Sequence, residues 1–144
     1  MNRLTKSILQ SGNGAIRYSV MAEDDLYGVI AQNAQGMYYL TRQPSVQFKT
    51  PVDAFNAIAM AENWDEVAGY SVLTDTSCGT AATLSDEGPW MVESEAEAMA
   101  DLQEDIDEGD LIEGESFVSI ITFCPSENLL YVLETEQQIL MRDW

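Results

Sequence analysis

Residues 86–115, DEGPWMVESEAEAMADLQEDIDEGDLIEGE, hold thirteen carboxylates and no Lys, Arg or His. Any account of the fold has to accommodate that run first. Ser94 followed three residues later by Glu97 has the form of a capping box, which predicts a helix starting at Glu95. From there Met99, Leu102 and Ile106 recur at i, i+3 and i+7 and define a narrow apolar stripe. Glu97, Asp101, Glu104, Asp105 and Glu108 fall on the other side at spacings of three and four, where side chains are neighbours. The expectation is a helix with one core face and one carboxylate face.

Nine acids lie between Glu93 and Asp110, and a helix rising about 1.5 Å per residue spreads them over roughly 27 Å. That is about one negative charge per 3 Å, close to the ~3.4 Å per charge of a single DNA strand. Like charges at i, i+4 each cost a few tenths of a kcal/mol, and the helix has no cation of its own to offset them. A surface shaped only for solubility normally mixes both signs.

The 144 residues are most simply one domain with a sizeable core. An apolar fraction of 46%, with three Trp, six Tyr and four Phe, argues against disorder. The net charge of −19 is unevenly spread: residues 1–72 carry seven acids and five bases, residues 73–144 eighteen acids and Arg142 alone. A subdivision therefore suggests itself between a near-neutral 1–75 and an acidic 76–144. Such a polyanion repels nucleic acid and anionic membranes and attracts basic protein surfaces.

MNRLTKSILQSGNG has basic residues but no sustained apolar signal core before its Gly and Asn, and no run reaches the ~18 apolar residues of a membrane span. A soluble, cytoplasmic chain is expected. Cys78 and Cys124 are too few for a disulfide framework and read as free thiols.

Taken in order, Asn2 to Gln10 reads as a weak helix or an extended arm. Ala15 to Met21 alternates as a half-buried strand, Leu26 to Gln32 and Met37 to Arg42 read as a second and a third, and with turns at 22–25 and 33–36 they predict an antiparallel meander. Thr50-Pro51 opens a helix over 51–61, apolar nearly all round and so buried. Asn63 to Glu66 is expected to begin a further helical turn, Tyr70 to Thr74 a strand, Asp75 to Thr80 a polar loop and Ala81 to Leu84 a short strand. Ser116 to Phe123 and Leu129 to Thr135 predict a hairpin around Pro125–Asn128. The segment from Glu136 could be strand or helix. The fold class is thus α+β: a single domain, an antiparallel β-sheet made of an N-terminal meander and a C-terminal hairpin, packed with two main helices. Each half has a capped helix followed by a strand, a weak sign of an internal repeat.

Several chemistries find no support. Without histidine the usual general base and commonest metal ligand are missing. No P-loop, GxGxxG, GxSxG or CxxC is present. Asp75-Thr76-Ser77 approximates the Asp-Thr-Gly turn of aspartic proteases, but with Ser in place of Gly and no second copy. Asp105, Asp107 and Asp110 approximate a Ca²⁺ loop, but aligning Gly109 with the sixth EF-hand position puts Ile106 where a ligand is required. Cys78 has no neighbouring cation to activate it. No enzyme, cofactor or metal is expected.

The candidate partner-binding residues are Trp90, an aromatic anchor in the turn before the helix, with Glu93, Glu97, Asp101, Glu104, Asp105, Asp107, Glu108, Asp110, Glu113 and Glu115. The leading expectation is a non-enzymatic inhibitor that mimics nucleic acid and occupies the basic groove of a nucleic-acid-binding protein or nuclease, without touching nucleic acid or membrane itself. Anti-restriction, anti-CRISPR and nuclease immunity proteins of phage, plasmids and bacteria work in this manner. The alternative is a small acidic structural or accessory protein whose charge serves solubility. An enzyme using opposed carboxylates fits least.

Overall fold

The computed structural model describes residues 7–11, 17–22, 25–77, 79–85, 88–133 and 137–140. Its elements begin with β1 (Ser7–Ser11), β2 (Arg17–Ala22), β3 (Asp25–Gln32), β4 (Tyr38–Leu40), β5 (Gln47–Phe48) and α1 (Pro51–Glu62). They continue with β6 (Val67–Thr76), β7 (Gly79–Ala82), β8 (Leu84–Ser85), β9 (Gly88–Pro89) and α2 (Glu95–Asp107). The last three are β10 (Ser116–Cys124), β11 (Leu129–Val132) and β12 (Gln137–Leu140). Two helices with antiparallel sheets make the chain α+β, as its pattern predicts. It divides into two compact units, one running to Ala68 and resuming at Ile121, the other Gly69–Ile120.

In the first unit the meander is an antiparallel sheet of order β1-β2-β3-β4-β5. The expected three strands are its centre, β2 to β4, and β1 and β5 extend it on either side. Residues 7–11 take the extended form of the two anticipated for the N-terminal segment, while 2–6 lie outside the described residues. Asn33 makes the β3–β4 turn: its Oδ1 accepts the N–H groups of Gln35 and Met37 at 2.9 and 3.0 Å, and Gly36 takes φ +84°.

Helix α1 starts as Thr50-Pro51 predicts, with Thr50 Oγ1 accepting the Asp53 N–H at 3.0 Å. It lies against β4 and β5 and buries Val52, Ala54, Phe55, Ile58 and Ala59. Its last three residues, Met60 to Glu62, are exposed, Met60 by 83%. The helical turn expected from Asn63 does not form. Asn63 adopts φ 61°, ψ 37°, and its N–H reaches the carbonyls of Ala59 and Met60, a left-handed cap that ends the helix. The same unit contains the predicted hairpin, with register from Ile121↔Val132 to Cys124↔Leu129 and Asn128 at φ 55°. β12 pairs with β11, which settles the C-terminal segment as strand over 137–140. Asp65 Oδ2 accepts the Ser126 N–H at 2.9 Å and ties the chain after α1 to the hairpin turn.

In the second unit β6 lies between β7 and β10. The polar loop expected over 75–80 is instead the closing end of a hairpin, with Asp75↔Thr80 and Thr76↔Gly79 paired and Gly79 at φ +117°. Threonines at Thr74, Thr76 and Thr80 suit a pleated ribbon, so polarity alone misread the segment. On the other edge the Asp75 N–H reaches Glu115 O at 2.8 Å, and the Thr74 and Ser116 hydroxyls lie 2.9 Å apart. A bridge between Tyr70 and Val92 holds the approach to α2 against β6.

Candidate functional site

Helix α2 begins where the capping box predicts, with Ser94 Oγ accepting the Glu97 N–H at 3.2 Å. Its end has a definite chemistry too. Gly109 takes φ +84°, its N–H bonds to Ile106 O at 3.1 Å, and the Asp110 N–H bonds to Asp105 O at 2.9 Å. These two bonds constitute a Schellman motif. The turn folds Asp110 back over the last helical turn, where carboxylate oxygens of Asp105, Glu108 and Asp110 come within 4.8 Å of one another. That trio is the group among the described residues with the spacing to hold a cation.

The core face of α2 differs from the expected stripe. Ala98 is fully buried and Leu102 nearly so, whereas Met99 is 50% exposed and Ile106 only half-buried. The true face follows i, i+4 from Ala98 to Leu102; choosing bulky apolar residues and passing over alanine rotated the assignment by one position. The rotation changes what the acids do. Glu93, Glu95, Glu97, Glu104, Asp107 and Glu108 are exposed, as are Asp110, Glu113 and Glu115 in the turns that follow. Asp101 and Asp105, expected on the outer face, are half-buried and border the core side. Among the described residues the one hydrogen bond on an outward carboxylate of α2 is local, from Gln103 Nε2 to Asp107 Oδ1 at 2.9 Å.

Trp90 is half-buried at the foot of the helix and belongs to a recess of about 220 Å³ lined by Val72, Thr83, Trp90, Asp101 and Asp105. Its main chain is fixed on both sides. The Trp90 N–H donates to Thr83 O at 2.8 Å, and its carbonyl accepts from Ser71 Oγ at 2.5 Å. Thr83 Oγ1 in turn donates to Val72 O at 2.7 Å. Ser71, Val72 and Thr83 carry no signal in the sequence for this role, because it depends on strand pairing. The structure thus brings Trp90, Asp101 and Asp105 together and leaves the other nominated acids as an outward face.

A wider recess of about 360 Å³ lies in the first unit, lined by Tyr27, Arg42, Val46, Phe48, Ile58 and Glu62 among others. Arg42 stacks 4.1 Å above the Tyr27 ring, and the Tyr27 hydroxyl donates to Glu62 Oε2 at 2.7 Å. That bond to Glu62 raises the Tyr27 pKa, with burial adding to it. Burial likewise pushes the Cys124 thiol up and disfavours its nucleophilic form; Cys78 lies outside the described residues.

No protein-family model, curated protein or solved structure significantly matches the chain. Among the described residues no helix is long and apolar enough to cross a membrane.

Proposed function

We propose that the chain is a non-enzymatic inhibitor, working in the cytoplasm, that presents α2 and the turns after it to the basic, nucleic-acid-binding surface of another protein such as a nuclease. Anti-restriction, anti-CRISPR and nuclease immunity proteins define the kind of activity meant. The observation that carries the reading is the row of outward carboxylates from Glu93 to Glu115, which is interrupted by no Lys or Arg. With a screening length of ~8 Å at physiological salt, neighbouring charges in that row act on a partner together. They favour fast encounter with a cationic groove and disfavour approach to nucleic acid.

The test uses immobilised chain and host lysate, comparing wild type with Glu97→Lys/Glu104→Lys/Glu108→Lys, which reverses exposed charges only. The reading expects a nucleic-acid-binding protein held by wild type, displaced by duplex DNA at constant ionic strength, and at least a hundredfold weaker on the reversed face. Equal retention by both forms, or no displacement by DNA, overturns it and leaves the charge a solubility device.

A further inference from the structure

We infer that the recess at Trp90 is a socket for one arginine side chain of the protein that the acidic face engages. The identity of the donor rests on the reading above; the socket itself rests on separate geometry. Trp90 lines the recess, and its main chain is held by Ser71 and Thr83, so the residue that carries the indole is anchored where it enters the site. Asp101 and Asp105 line it as well, one helical turn apart and therefore about 6 Å from each other at Cβ. Both are half-buried while Glu97, Glu104 and Glu108 on the same helix are exposed, and neither has a side-chain partner among the described residues. Partial burial strips water from a carboxylate, and an entering cation offsets that loss.

Three features select the occupant. The volume, about 220 Å³, is below the range of pockets for nucleotides or drug-sized molecules and suits a single side chain. The indole face favours a cation over a neutral group. A planar guanidinium can stack on that ring and send donors to both carboxylates, whereas an ammonium acts as a point charge and leaves the aromatic wall less well used. A metal ion gains nothing from the indole.

The probe is N-acetyl-arginine amide, titrated into the full chain labelled with ¹⁵N and followed at the Trp90 indole N–H, assigned with Trp90→Phe. The expected result is a saturable shift confined to that resonance and to amides near Asp101 and Asp105. N-acetyl-lysine amide should bind at least threefold more weakly, and the neutral isostere N-acetyl-citrulline amide at least tenfold. Asp101→Asn/Asp105→Asn should weaken arginine binding at least tenfold while keeping native amide dispersion. Glu95→Gln, an exposed position six residues from Asp101 and ten from Asp105 on the helix, should change it by less than twofold. Equal shifts with citrulline, an unchanged response in the Asn variant, or loss in the exposed-face variant each overturn the socket. Arginine binding without any DNA-displaceable partner keeps the socket and removes the inhibitor reading.

Discussion

The buried Ser71 hydroxyl donates to the Trp90 carbonyl oxygen at 2.5 Å, a contact made across nineteen positions of sequence. It is a tether between β6 and the segment leading into α2. Ser71→Ala removes the donor and leaves that carbonyl unsatisfied, at a cost of about 1–3 kcal/mol. Urea denaturation measures the loss, and the Trp90 indole resonance should broaden or shift in the same variant. An unchanged midpoint and spectrum would show that the tether contributes nothing.

Gly69 passes so close to Met91 that a Cβ there would lie 2.7–2.9 Å from Met91 Sδ, Cβ and Cγ. Gly69→Ala should therefore destabilise by about 1–3 kcal/mol. Adding Met91→Ala should return part of that cost, and the double-mutant cycle measures the coupling directly. Additive effects would place the strain elsewhere.

The two helices end in left-handed residues of different kinds. Gly109→Ala puts a Cβ at φ +84° with open space around it, so its cost is conformational, about 1 kcal/mol. Asn63→Gly at φ 61° should stay within a few tenths of a kcal/mol or stabilise. Thermal melts of the pair distinguish the two: equal shifts contradict the cap assignments.

Crowded like charge makes α2 a source of electrostatic strain. Moderate NaCl should raise the melting temperature relative to low salt by screening it. Glu108→Lys, at the negative end of the helix dipole, should add several tenths of a kcal/mol. A melting temperature that falls with salt would mean that these acids are paired, contrary to what the described residues show.

Tyr27 titrates above its ordinary value because its hydroxyl is held by Glu62. A raised folded pKa gives stability fully present below the unfolded value of about 10 and lost as pH rises through the folded one. Tyr27→Phe should flatten that alkaline loss, measured by urea midpoints in a Cys124→Ala background, since the Cys124 thiol is raised as well. Phenolate absorbance locates the titration independently. A steeper alkaline loss in Tyr27→Phe has the wrong sign for this account.

What could be read from the sequence was local. Thr50-Pro51, Ser94 with Glu97, the alternating run that forms β2 and the apolar runs that form β10 and β11 carry their instructions within a few residues, and the structure follows them. Asn63 is not legible locally, because an amide at αL is as plausible there as one inside a helix, and only the chain beyond decides. The core face of α2 is hidden for a different reason: Ala98 gives no hydrophobic signal, yet its small size is what admits it to the core. The recess could not be seen at all: Val72, Thr83, Trp90 and Asp105 are gathered by β pairing and helix packing that no spacing rule encodes.

The reversal at Gly109 limits how far the acidic sequence can reach. Thirteen helical residues extend only about 20 Å, the length of roughly six phosphate steps along one strand. Beyond them the chain turns at Gly109 and brings Asp110 back beside Asp105 and Glu108, so the helical part of the row stops at that length. A complementary trough would need to be stubby, and a long channel would be left mostly unfilled.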